Sequence, residues 1–249
     1  MLRQTKSRVF ELLKRTPARY LYHRIKALRG GASQSDEAEI LIGLASSCPK
    51  TFVEFGFHPT EYNCVGLGEF SGLLVDGDPA TVHLARAILP SRIEVRQQFL
   101  TLENLNTVAS YHAELGVLSI DVDGNDYWFL EALLPARPHV IAVEYNASLL
   151  SASLTVPYDP TFDRHRKDRS GWYHGASLAA LNNLCTMHGF KLVAVAEAGG
   201  NAFFVRQDNP TPAIDPVAAY RENQLTNKWS GTTAREQWLR IKHLPYVEV

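Results

Sequence analysis

From residue 35 onward, short apolar runs and amphipathic stretches alternate with a regular beat. Runs of Val, Ile, Leu and Phe at 51–55, 73–75, 93–96, 117–120 and 140–143 are each bounded by polar or glycine-containing turns. Runs of this length and composition, needing cover on both faces, predict strands of a parallel sheet. Between them, 3.6-period stretches predict helices over 35–48 (with Ser35 and Asp36 at its cap), 79–89, 102–115 and 126–133. Repeated β–α units of this size make a doubly wound, Rossmann-like α/β sheet. After a further helix over 176–187, the runs FKLVAVA (190–196) and AFFVR (202–206) flank a Gly199-Gly200 turn. That pattern is an antiparallel hairpin. Five strands plus two give a seven-stranded sheet with a terminal antiparallel hairpin, whereas a nicotinamide-binding domain would continue with parallel strands.

The segments outside this pattern have their own character. Residues 1–32 are basic: Arg3, Lys6, Arg8, Lys14, Arg15, Arg19, Arg24, Lys26 and Arg29 face only Glu11. Apolar positions there predict two amphipathic helices broken near Pro17, packed on the domain or touching a membrane surface or partner. The main domain is read as 33–207, and 208–249 as a helical tail packed on it. The tail holds Tyr220, Trp229, Trp238 and a predicted helix over 233–243; a homodimer contact is its alternative role. A net charge of −1 gives no reason to expect a nucleic-acid partner. Three scattered cysteines without a C-x-x-C pair argue against a disulfide framework or zinc site. With no apolar run of bilayer length and no signal-peptide pattern, the expected compartment is the cytoplasm.

Candidate chemistry gathers at two strand ends. The strand at 117–120 runs into Asp121, Asp123, Gly124, Asn125 and Asp126; the strand at 140–143 runs into Glu144, Tyr145 and Asn146. Doubly wound sheets place ligands just past such ends. The all-oxygen set Asp121, Asp123, Glu144 and Asn146 suits a hard ion such as Mg²⁺. The metal-free alternative has Asp121 positioning the reactants while 123–126 forms a helix-capping turn. A calcium loop is rejected, because its twelfth position from Asp121 is Ala132 and Glu131 falls one residue short. Asp76, ending the second strand, is placed to accept hydrogen bonds from a ribose diol, with Gly77 beside it. Gln98 and Phe99 are candidates for the edge and face of a base.

Residues 148–173 are long for a loop and read as a lid over a bound substrate. Tyr158, Trp172 and Tyr173 would offer aromatic faces and Arg166 a cation, with Tyr145 and Asn146 completing the substrate contacts. His174, His165 and His58 are the candidate general bases, since imidazole accepts a proton near neutral pH.

The segments FVEFG (52–56), GLLVDGD (72–78), LSIDVDGNDY (118–127) and VEYN (143–146) resemble the FkbM-type S-adenosylmethionine-dependent methyltransferases over roughly residues 50–207. The resemblance implies a sheet of the class I methyltransferase type and methyl transfer to an oxygen, often on glycans or secondary metabolites. It places Glu54 and Gly56 beside the methionine portion of the donor and Asp121 at donor and acceptor. The expected function is O-methylation of a small acceptor such as a sugar or glycan precursor, with S-adenosylmethionine as cofactor; a divalent metal such as Mg²⁺ joins it only in the metal-bound one of the two alternatives above. One departure stands out. The usual glycine-rich first loop is GFHPTEYN (56–63), with His58, Thr60 and Glu61 where glycines would sit. A nicotinamide oxidoreductase needs that glycine-rich loop; a non-catalytic module docking on a membrane or partner does not.

Overall fold

A computed structural model describes residues 33–249; the basic segment 1–32, with its expected amphipathic helices, lies outside the described residues. In chain order the strands are β1 (Thr51–Phe55), β2 (Ser71–Asp76), β3 (Ile93–Gln97), β4 (Val117–Ile120), β5 (Val140–Glu144), β6 (Leu154–Thr155), β7 (Phe190–Val195), β8 (Asn201–Arg206) and β9 (Val247–Glu248). The helices are α1 (Glu37–Leu44), α2 (Pro79–Ile88), α3 (Asn106–Ala109), α4 (Asp126–Leu133), α5 (Arg164–Lys167), α6 (Leu178–Met187), α7 (Pro216–Ala219), α8 (Gln224–Ser230) and α9 (Ala234–Ile241). Among the described residues no helix is long and apolar enough to cross a membrane.

Seven strands form one sheet in the order β3-β2-β1-β4-β5-β8-β7. The first five run parallel, and β8 is antiparallel to both β5 and β7. This is the doubly wound sheet with a terminal hairpin expected for the class I methyltransferase type. Burial explains why the last strand takes the inner slot. Five successive residues of β8 are buried, whereas β7 and β3 alternate buried with partly or fully exposed positions. The strand with an unbroken apolar centre, Ala202–Val205, goes inside and the half-wet ones form the edges.

Alternate residues of each strand feed two cores, one per face. Val53, Phe55, Leu73, Val75, Ile120 and Val143 pack under α4 and α6. Phe52, Leu74, Val117, Ala142 and Phe203 pack towards α1 and α2. Each fully buried Val, Leu, Ile or Phe among them contributes about 1.5–3 kcal/mol.

Two expectations about local structure change. The helix predicted over 102–115 shrinks to α3. Asn104 accepts a hydrogen bond from the Thr101 N–H through its side chain, while Thr107 and Ser110 donate theirs to the carbonyls of Asn104 and Asn106. Such side-chain bonds compete with helical ones. The second change is in 148–173, which is not a featureless loop. Its strand β6 pairs with β9, and Val156, Trp172 and Tyr173 build a small core with Ile241, Trp238 and Tyr246 from the chain beyond 208.

Candidate functional site

The site begins where β1 and β4 touch. Gly56 leaves β1 with φ +67°, and a Cβ there would lie 1.5 Å from the Asp121 carbonyl oxygen, so only glycine fits. The following loop closes on itself through reciprocal backbone hydrogen bonds between His58 and Glu61. It then enters a 3-10 turn (Asn63–Gly66). The buried Glu54 carboxylate accepts the first N–H groups of that turn, from Asn63 at 2.8 Å and Cys64 at 2.9 Å. A glycine-rich loop offers its N–H groups to a ligand; here those of Asn63 and Cys64 go to Glu54, and those of His58 and Glu61 close the loop on itself. Burial pushes Glu54 up to about 7, against the pull of those hydrogen bonds.

At the end of β2, Asp76 accepts hydrogen bonds from Asp78 N–H (2.7 Å) and Phe57 N–H (3.4 Å), and burial raises its pKa. Asp78, not Asp76, caps α2 through the N–H groups of Ala80 and Thr81. Gly56, Asp76, Gly77, Gln98, Phe99 and Asp121 line a trough of about 440 Å³. The Phe99 ring is 60% exposed there and packs over Gly77. Gln98 turns its amide to the hydroxyl of Thr107.

The β4–α4 loop is held from beneath by Asp126, whose carboxylate accepts from Val122 N–H (2.8 Å) and Gly124 N–H (2.9 Å). Burial raises Asp126 to about 6 in spite of those bonds. The loop carries Asp123 in a left-handed conformation, φ +56°. Asn125 clamps the covering segment, donating to the Asp159 carbonyl (2.8 Å) and accepting from the Asp159 N–H (3.3 Å).

Asp121, Asp123 and Glu144 face a second cavity of about 760 Å³, which also takes in Glu54, Asp76 and Glu61. Burial first, and then mutual repulsion with the neighbouring carboxylates, drives Asp121 and Glu144 well above the usual carboxylate range. Arg164 reaches in to bond Asp123 and donates through Nε to the Gly171 carbonyl (2.8 Å). His174 Nδ1 lies 3.6 Å from Glu144 Oε2, and both atoms are buried without a hydrogen-bond partner. Burial, with Arg164 and His165 nearby, drives the His174 pKa well down, so the ring is neutral at pH 7. Ligand atoms of Asp123, Glu144 and His174 all fall within 4.8 Å of one another.

The structure redistributes several residues picked from sequence. His58 lines the cavity rim, its ring facing Thr60, and Trp172 lines the wall. Asn146 is buried and spent: its nitrogen donates to the carbonyls of Trp172 and His174, and its oxygen accepts from the Ser148 N–H. Of the four oxygen ligands expected from sequence, only Asp123 and Glu144 fall in the close grouping; Asp121 and Asn146 do not, and His174 is its third member. Tyr145 is buried, donating to the Arg221 carbonyl; Tyr173 donates to the Pro245 carbonyl; Tyr158 accepts from the Leu102 N–H. These three brace the wall and do not line the cavity. Arg166 points to solvent while Arg164 points in. The determinant is Asp163, which caps α5 through His165 and Arg166 N–H and fixes its rotation. Sequence reasoning also missed α8: Asn223, Leu225, Thr226 and Trp229 form one side of the cavity, with Trp229 88% exposed.

No protein-family model and no curated protein matches the chain. Among solved structures, an O-methyltransferase from Bacillus cereus in complex with SAH is similar at 16% identity, over 81% of this chain and 95% of that one, with a TM-score of 0.49. A spermidine synthase in complex with a transition-state analogue is similar at 14% identity, over 81% and 62%, with a TM-score of 0.42. The N-terminal domain of EvdMO1 in the presence of SAH and D-fucose follows at 11% identity, over 68% and 79%, also with a TM-score of 0.42. At such identities the reaction has to be argued from the chemistry of the site itself.

Proposed function

We propose that this chain is an S-adenosylmethionine-dependent O-methyltransferase acting on a hydroxyl of a small polar acceptor, a sugar or glycan precursor. The observation that carries the reading is the meeting of two cavities at Gly56, Asp76, Asp121 and Asp123, past the carboxyl ends of β1, β2 and β4. Such a place is where a doubly wound sheet binds nucleosides.

The residues present fit the donor. Asp76 keeps lone pairs for a ribose diol, Phe99 offers an exposed ring to a base, and the buried Glu54 and half-buried Asp121 carboxyl groups would be stabilised in their ionised form by a cationic ligand. S-Adenosylmethionine supplies, when bound, an electrophilic methyl group on a cationic sulfur. The protein's part is alignment and the removal of one proton. Asp121 borders both cavities, so it can face the donor's charge and accept the acceptor hydroxyl's proton. His174 is turned to Glu144 and His58 to Thr60, and His165 lines only the larger cavity, so the proton is assigned to Asp121, which borders both. Trp229, 88% exposed on α8, offers the open ring face that a pyranose needs, and Trp172 forms part of the cavity wall.

Calorimetric titration with S-adenosylmethionine, S-adenosylhomocysteine and NAD tests the reading. Binding of the two methionine nucleosides at one site per chain, without NAD, is expected. Binding of neither would overturn it in favour of a non-catalytic module.

A further inference from the structure

We propose that Asp123, Glu144 and His174 form a divalent-metal site whose nitrogen donor favours Mn²⁺, Fe²⁺ or Zn²⁺ over Mg²⁺, and that Arg164 competes with the metal for Asp123. The site stands on its own geometry; its use in gripping acceptor oxygens rests on the methyl-transfer reading above.

Glu144 Oε2 and His174 Nδ1 are the starting point. Both are buried, neither has a hydrogen-bond partner, and at 3.6 Å they are too far apart to bond each other. Two acceptor-capable atoms facing across that gap are placed to share a cation. Asp123 adds a third donor, and all three ligand atoms lie within 4.8 Å of one another. Metal bonds of about 2.0–2.2 Å span donors up to roughly 4.3 Å apart, so side-chain shifts of a few tenths of an ångström close the set. The backbone behind each ligand is already fixed, that of Glu144 by its pairing with Asn201 across β5 and β8. Asn146 holds the His174 carbonyl at 2.9 Å, and Asp126 holds the amides on either side of Asp123. Such supporting bonds orient metal ligands.

The donor set chooses the ion. Mg²⁺ prefers oxygen throughout, and Asn146, the fourth oxygen expected from sequence, is committed elsewhere. Two carboxylates and an imidazole suit the borderline transition ions. Arg164 supplies the competitor: its Nη1 bonds Asp123 and its Nε is anchored on Gly171. A fixed positive charge at one ligand weakens cation binding, so removing it must strengthen binding.

The test uses tag-free, chelator-stripped full-length protein titrated with Mn²⁺, with free ion read by electron paramagnetic resonance and Mg²⁺ titrated by calorimetry. One Mn²⁺ per chain, bound at least tenfold tighter than Mg²⁺ and showing nitrogen modulation of its spin echo, is expected. Glu144→Gln and His174→Gln should weaken binding tenfold or more. His174→Gln should also remove the nitrogen modulation, and Arg164→Gln should tighten binding. Should His174→Gln fail to fold, the opposite signs of Glu144→Gln and Arg164→Gln decide alone. Absence of Mn²⁺ binding at millimolar concentration, a signal without nitrogen, or insensitivity to Glu144→Gln overturns the site. S-Adenosylhomocysteine binding is measured on the same samples without metal, so failure of the metal site and failure of the methyl-transfer reading show up separately.

Discussion

Glu54→Gln is the sharpest probe of how this site is assembled. The carboxyl is 1% exposed and its pKa rises from 4.5 to about 7, with burial the leading cause. A raised acid holds its proton more tightly when folded than when unfolded. Its contribution to stability is therefore complete below pH 4.5, declines as pH rises, and levels off above about 7. At 1.36 kcal/mol per pH unit, the span from 4.5 to about 7 is worth about 3 kcal/mol, most of it lost between pH 5 and pH 8. Glutamine mimics the protonated acid: it keeps one acceptor for Asn63 or Cys64 and cannot ionise. At pH 5 the variant should then cost only about 1–2 kcal/mol, for the one turn N–H left without a partner. By pH 8 the comparison should have moved in favour of glutamine by about 3 kcal/mol. Urea unfolding of both proteins at the two pH values measures this directly. A difference between them that does not change with pH would refute the reasoning, because Glu54 would then ionise as easily folded as unfolded.

Other perturbations separate scaffold from site. Gly56→Ala should lower unfolding free energy by more than about 3 kcal/mol, since the new methyl meets the Asp121 backbone at 1.5 Å; an unchanged melting temperature would mean β1 and β4 do not approach so closely. Asn146→Ala removes the partner of two buried carbonyls and one N–H and should cost about 2–4 kcal/mol in urea unfolding. Trp229→Ala, at an 88% exposed position, should leave stability within about 0.5 kcal/mol and nucleoside affinity unchanged, while raising the acceptor KM about tenfold. An unchanged KM would remove α8 from the acceptor wall.

The strands were legible because period and composition are local properties: 51–55, 117–120 and 140–143 are apolar runs with polar stops, and they became β1, β4 and β5 with little change in bounds. The carboxylates at their ends followed from that placement alone. What local pattern does not carry is rotation and return. Arg164 and Arg166 are equivalent in composition, and only the cap at Asp163 turns one inward. Asn146 reads as a ligand until Trp172 and His174 come back to occupy its amide, and α8 reaches the cavity through a tertiary path of which its sequence bears no mark. In 102–115 the apolar spacing of a helix was present, but Asn104, Thr107 and Ser110 bind the backbone and break it.

The inner slot taken by β8 sets the order in which a nascent chain can become complete. Until residues 201–206 have been made and folded back, β5 is an edge: five residues, VIAVE, four of them destined for burial, with one side of their backbone unpaired. Such an apolar edge invites pairing with another chain, and the interval of exposure spans the whole synthesis of 145–200. Glu144 sits on that strand, so the half of the site it contributes is not locked in register until the hairpin closes. Conditions that slow translation or folding between β5 and β8 should therefore lower the yield of soluble protein more than they alter the specific activity of what folds.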